Sequence, residues 1–137
     1  MGSVGVTSHE SRVTRASIKS FTDLRAWQEA HRLVIDIYVI TKAFLSDERF
    51  GLTNQLRRAA VSITSNIAEG FGRRTVNDRV HFYDMARASL AEVQSQLLVA
   101  RDVAYITESA FRELADKSVD CHKVLTGLIN ATKGRDS

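Results

Sequence analysis

Two short patterns in this chain come nearest to reactive chemistry. Asp78-x-x-His81 has the spacing of a helical metal-binding pair, and Cys121 stands beside His122, a thiol next to a base. Neither pattern is complete. Carboxylate-rich metal centres in helical proteins take a Glu-x-x-His pair from each of two helices and further inward glutamates. No Glu-x-x-His occurs here, and the Asp78–His81 pair has no counterpart. His31, His81 and His122 have no histidine or carboxylate at i+4. They read as solvated or hydrogen-bonded side chains, because a metal needs convergent ligands. Neighbours in a helix point about 100° apart, so Cys121 and His122 do not make a nucleophile–base dyad. A buried, inert thiol is expected instead. Ser62 and Ser65 have no evident base. Gly70-Phe71-Gly72 lacks the Gly-Lys-Ser/Thr ending of a phosphate loop and follows a helix rather than a strand. No catalytic residue, metal or cofactor is expected, and the chain reads as non-enzymatic.

A polar set with a clear period lies between Gln55 and Arg74. Gln55, Arg58, Ser62, Asn66 and Glu69 recur at helical spacing and form a stripe. Leu52, Leu56, Ala60, Ile63 and Ile67 form an apolar line beside it. The stripe is either a solvated face or a network at a helix or subunit junction that fixes register. Asn66 adjoins the apolar line, which favours a structural network of Arg58, Ser62, Asn66 and Glu69. Glu69 falls in the last helical turn, where the helix dipole disfavours a carboxylate. It should therefore have a cationic partner: Arg73, Arg74 or Arg58. Gly70 and Gly72 read as the helix stop, through the left-handed conformation that glycine accepts. Arg73 and Arg74, just past the glycine turn, could meet an anion. Amides of the glycine turn and the next helix start could also meet an anion.

Four helices must position these residues. The first is expected from about Asp23, a good N-cap, to about Phe44. Its seam is Trp27, Ala30, Val34, Ile37, Thr41 and Phe44. The run LVIDIYVI within it also fits a strand, but the long periodic context favours helix. A helix apolar all round needs cover on more than one side. Leu33, Ile35, Tyr38, Val39 and Ile40 therefore point to subunit contacts. Ser46 to Glu48 read as a turn, and the second helix runs to Glu69. Thr75 with Asp78 three positions on resembles a capping box and opens the third. Its seven-residue repeat is Tyr83, Ala86, Leu90, Val93, Leu97, Ala100 and Ala104. Thr107 is the expected N-cap of the fourth, with Phe111, Leu114, Ser118, Cys121, Leu125, Leu128 and Thr132 as its seam. Such seams pack at the shallow angle of bundles, and short connections imply antiparallel neighbours. The expected fold is all-α, an antiparallel up-down-up-down four-helix bundle. Trp27 and Tyr38 read as core aromatics, and Phe71 and Tyr105 as rings packed over the loops.

Composition narrows the setting. One domain is expected from 137 residues. Residues 21–133 form the bundle, after a mobile tail at 1–20 and before a frayed end at 134–137. No apolar run nears the length needed to cross a bilayer, and the N-terminal stretch lacks the apolar core of a signal peptide. A single cysteine allows no internal disulfide, so a cytoplasmic location is expected. Net charge is +3, with the cationic excess in residues 1–22 and 45–74. That is mild for a nucleic-acid binder, although an oligomer could gather its arginines into one ring of positive potential.

FTDLRAWQEAHRL, ERFGLTNQLRRAAVSITSNIAEGFGRR and HFYDMARASLAEVQSQLLVARDVAYI resemble the four-helix-bundle family of 23S rRNA intervening-sequence proteins. The likeness runs from Phe21 to Leu128, and its most specific part is SxxSNIAEGxGR from Ser62 to Arg73. Family members often carry proline where Thr64 stands and another near Leu45–Ser46, whereas this chain has none. Threonine suits a continuous helix better. The resemblance implies a ring-shaped homopentamer. It also implies an accessory role that touches RNA or DNA through Arg57, Arg58, Arg73 and Arg74. A related group serves reverse transcriptases of diversity-generating retroelements, so such an enzyme or another protein is an implied partner. The alternative expectation is a structural or protein-interaction oligomer with no nucleic-acid role.

Overall fold

The computed structural model describes residues 18–48 and 51–134. The expected tail up to residue 17 and the last three residues lie outside the described ones. Four helices lie among the described residues: α1 (Arg25–Thr41), α2 (Leu52–Phe71), α3 (Val76–Asp102) and α4 (Glu108–Gly134). Single 3-10 turns occupy Phe21–Asp23 and Ser46–Glu48. No strand occurs among the described residues, and LVIDIYVI is helical. Each helix packs on its sequence neighbours and α4 also packs on α1, while the backbones of the diagonal pairs α1–α3 and α2–α4 stay apart.

The helix ends follow local chemistry. Asp23 does not cap α1; it completes a capping box on the preceding turn, where its carboxylate accepts from the amides of Lys19 and Ser20 at 3.0 and 3.2 Å. Ile18 packs on the core, so ordered structure reaches back before Phe21. Thr75 caps α3, its hydroxyl accepting from the Asp78 amide at 3.1 Å. Thr107 does the same for α4, accepting from the Ala110 amide at 3.0 Å. Both caps satisfy amides that a helix start leaves without partners.

The apolar seams fill one shared core. Tyr83, Ala86, Leu90, Val93, Leu97 and Ala100 are all buried on α3. Ala104, next in that repeat, is exposed and left-handed, with φ of 63°. The Tyr105 amide donates to the Ala100 carbonyl at 2.8 Å and the Ala104 amide to that of Arg101 at 3.0 Å. This is the Schellman pattern with alanine where glycine is usual. It ends α3 before the repeat can continue, and Tyr105 turns back to sit 5.2 Å from the Phe44 ring. On α4, Ile129 replaces Leu128 as the buried residue, since a helix drifts by about 20° per seven residues.

Two readings of α1 change. Leu33 is 1% exposed and belongs to the core. Tyr38 is no core aromatic; it lies at the surface with Ile35 and Val39, at 38%, 49% and 61% exposed. Ile40 packs partly against the core.

Candidate functional site

Gly70 decides how α2 meets α3. It is helical, and no described glycine has positive φ, so conformational freedom is not its use. A Cβ on Gly70 would stand 2.7 Å from the Tyr83 ring and 3.1 Å from the Arg79 carbonyl. Glycine is required because the next helix lies against its backbone. Gly72 ends α2 in a right-handed conformation, with φ −81° and ψ −5°.

The polar stripe divides over this contact. Ser62 meets Ser89 of α3 with their hydroxyl oxygens 2.8 Å apart. Asn66 Nδ2 donates to the Ser62 carbonyl at 2.9 Å and to its hydroxyl at 3.1 Å. This trio, with Ser89 buried and Ser62 and Asn66 half-buried, joins the two helices. Glu69 lies outside it and pairs with Arg73 at 2.9 Å, both side chains about half exposed. Arg58 is exposed. It borders an open groove of about 440 Å³ between α2 and α3, with Asn54, Gln55, Glu92 and Gln96. The buried Oε1 of Gln96 has no hydrogen-bond partner among the described residues.

The four candidate arginines occupy different settings. Arg57 stands fourteen positions, about 21 Å of helix, before the end of α2 at Phe71, and Arg73 lies beyond that end. Arg57 is bound to α1: Nε donates to the Thr41 hydroxyl at 2.8 Å and Nη2 to the Tyr38 carbonyl at 3.3 Å. Its guanidinium lies 4.6 Å from the Tyr38 ring centre. The Thr41 hydroxyl itself donates to the Ile37 carbonyl at 2.7 Å. Arg73 lies 4.5 Å over the Phe82 ring. Arg74 is exposed beside it. Arg79, which the spacing did not single out, joins this end: its Nε donates to the Arg73 carbonyl at 2.7 Å, and its guanidinium lies 5.9 Å over Phe71. The His81 ring meets Phe82 edge-on at 5.4 Å. Three arginines, a histidine and two phenylalanines therefore border the α2–α3 turn. The signal for it was present in FGRR followed by Arg79 and Phe82, one and two turns into the next helix.

The reactive candidates stay apart. Cys121 is fully buried and His122 is exposed. Burial, with the Glu29 carboxylate adding to it, pushes the Cys121 thiol up to about 12, so the nucleophilic thiolate is scarce near neutral pH. Among the described residues no three His, Cys, Asp or Glu side chains gather to hold a metal. No helix among them is long and apolar enough to cross a membrane.

Residues 22–127 match the family model described as 23S rRNA-intervening sequence protein. The chain belongs to this family. Its fold is also that of a protein of unknown function from the S23 ribosomal protein family of Bacteroides thetaiotaomicron VPI-5482. The two chains are 20% identical and superpose with a TM-score of 0.71, over 76% of this chain and 97% of that one. No curated protein matches. The matched span contains the Ser62–Ser89 junction, the Gly70 contact and the arginine–phenylalanine turn.

Proposed function

We propose that this member of the family is a non-enzymatic, oligomeric accessory protein that contacts nucleic acid. The observation that carries the proposal is the α2–α3 turn, where Arg73, Arg74 and Arg79 gather beside Phe71 and Phe82. Cations beside aromatic faces suit a phosphate backbone with accessible bases. Arg58 extends the basic surface along α2. Arg57, held by two hydrogen bonds to α1, serves the fold more than a ligand.

The up-down-up-down course is supported by opposed pairings. Ser62 faces Ser89 and Gly70 faces Tyr83, so rising positions on α2 meet falling ones on α3. Gln94 bonds Ser118 and Arg87 bonds Thr126 in the same sense between α3 and α4. Assembly is supported by Ile35, Tyr38 and Val39, which one copy leaves in water and association would cover. Light scattering should give a mass near five times the 15.3 kDa chain; a monomer would reject the ring.

Filter binding with RNA and DNA at two salt concentrations tests the function. Affinity should fall steeply as salt rises, because each phosphate contact releases counterions. No binding at about 50 mM salt would leave the other reading, a structural or protein-interaction oligomer, which the modest +3 charge favours.

A further inference from the structure

We infer that the α2–α3 turn seats one base of a single-stranded nucleic acid on the Phe82 ring, in the place the Arg73 guanidinium holds in the free chain. This deepens the nucleic-acid reading and rests on it.

Phe82 is the starting point. Its neighbour Tyr83 is 1% exposed, and Phe71 packs on the core, but Phe82 is outside the core cluster. What lies over its face is a polar group: the Arg73 guanidinium, 4.5 Å from the ring centre. A guanidinium is flat and delocalised, as a nucleobase is, and both stack on aromatic faces. The guanidinium occupies the face of the ring that a base would take.

The occupant is weakly held. Arg73 is tied only to Glu69 among the described side chains, and both are about half exposed. Such a pair contributes at most about fivefold to an equilibrium, and an exposed cation–π contact about the same. A base on an aromatic ring contributes about fivefold to a hundredfold. The released guanidinium can grip the phosphate beside that base with two parallel hydrogen bonds. Exchange therefore trades two weak contacts for two stronger ones.

The backbone stays in place during the exchange. Arg79 Nε holds the Arg73 carbonyl at 2.7 Å, so the side chain swings while the turn does not. Arg74, exposed at the next position, is placed for a second phosphate. The His81 ring, edge-on at 5.4 Å, borders Phe82. A duplex already stacks its bases internally and offers none to Phe82, so the site selects single strands. Every base has a π-face, so it takes them without sequence preference.

Fluorescence anisotropy tests this with the full chain, using 12-nucleotide rU and dT strands and a duplex of the same length. At about 50 mM salt, Phe82→Leu should weaken both single strands by about tenfold and leave the duplex unchanged. Phe82→Trp should restore single-strand affinity. Glu69→Gln, which loosens Arg73, should tighten single strands by about twofold. Single-strand binding unchanged in Phe82→Leu would overturn the inference and leave the general nucleic-acid reading intact, as would an equal loss for the duplex. Absence of binding by the unaltered protein to all three probes would overturn both. If Phe82→Leu melts early, Phe82→Trp and Glu69→Gln decide: weaker single-strand binding by both rejects the stacked base.

Discussion

Arg57 and Arg73 stand over aromatic rings at nearly the same distance, 4.6 Å from Tyr38 and 4.5 Å from Phe82. They do different work. Arg57 is held by a threonine hydroxyl and a backbone carbonyl of another helix. Arg73, in the turn after α2, is held by one exposed carboxylate four residues back, at the end of that helix. The first contact joins α2 to α1 and is part-buried at its Thr41 end. The second can open into water. Stacking distance alone does not separate a structural arginine from an available one; the partners of its N–H groups do.

The largest way to break this comparison is to move the wall that carries the second pair. Gly70→Ala places a Cβ 2.7 Å from the Tyr83 ring. Tyr83 is buried and has little room to yield. Overpacking of this kind costs about 1–3 kcal/mol. Urea denaturation should show that loss, together with displacement of Phe82 relative to Arg73. A melting curve like the unaltered protein's would mean α3 does not lie against Gly70, and the Arg73–Phe82 pair would lose its frame.

The next effect sharpens the contrast directly. Thr41→Val keeps the shape of the side chain but removes the acceptor for Arg57 Nε, 2.8 Å away. A half-buried charged donor left unpaired costs about 1–3 kcal/mol. A double-mutant cycle of Thr41→Val with Arg57→Gln should show coupling above about 0.5 kcal/mol, as expected for residues in contact. The same cycle on Arg73→Gln and Phe82→Leu should fall below that in the free chain. Equal coupling in both cycles would erase the distinction between clamp and placeholder.

These differences mark where sequence reading stops. Helices were legible from apolar spacing: Tyr83 to Ala100 repeat every three or four residues and every one of them is buried. Two of the three expected caps were legible because Thr75 and Thr107 act on amides three residues away, whereas Asp23 serves the turn before α1. Arg57 and Arg58 are adjacent and alike, and only the position of α1 makes one a clamp. Gly70 was read as a conformational stop because its real reason, Tyr83, sits on another helix. Ala104 continued the repeat on paper, yet the chain leaves the helix at Val103 through a left-handed alanine. In each case the deciding partner is distant in sequence or set by the chain's path. Arg79 and Phe82 escaped notice for the same reason: their meeting with Arg73 depends on how sharply the turn brings α3 back.

Glu69 provides the smallest expected effect and the finest test. Its place in the last helical turn suggested a cationic partner, and its spacing a role in the stripe. The structure gives it Arg73 at 2.9 Å, with about half of each side chain in water. Water screens such a pair, and holding two long side chains together costs entropy, so its net contribution is about 0–1 kcal/mol. The last-turn dipole disfavours a carboxylate by about 0.3–1 kcal/mol, which offsets most of that gain. Glu69→Ala should therefore change unfolding free energy by less than about 0.5 kcal/mol, the ordinary range for a surface position. Raised salt should shrink even that, since exposed charges are screened over about 10 Å at 0.1 M. A loss well above this, persisting at high salt, would place Glu69 in a buried contact that one copy of the chain does not make, and so in an interface between copies.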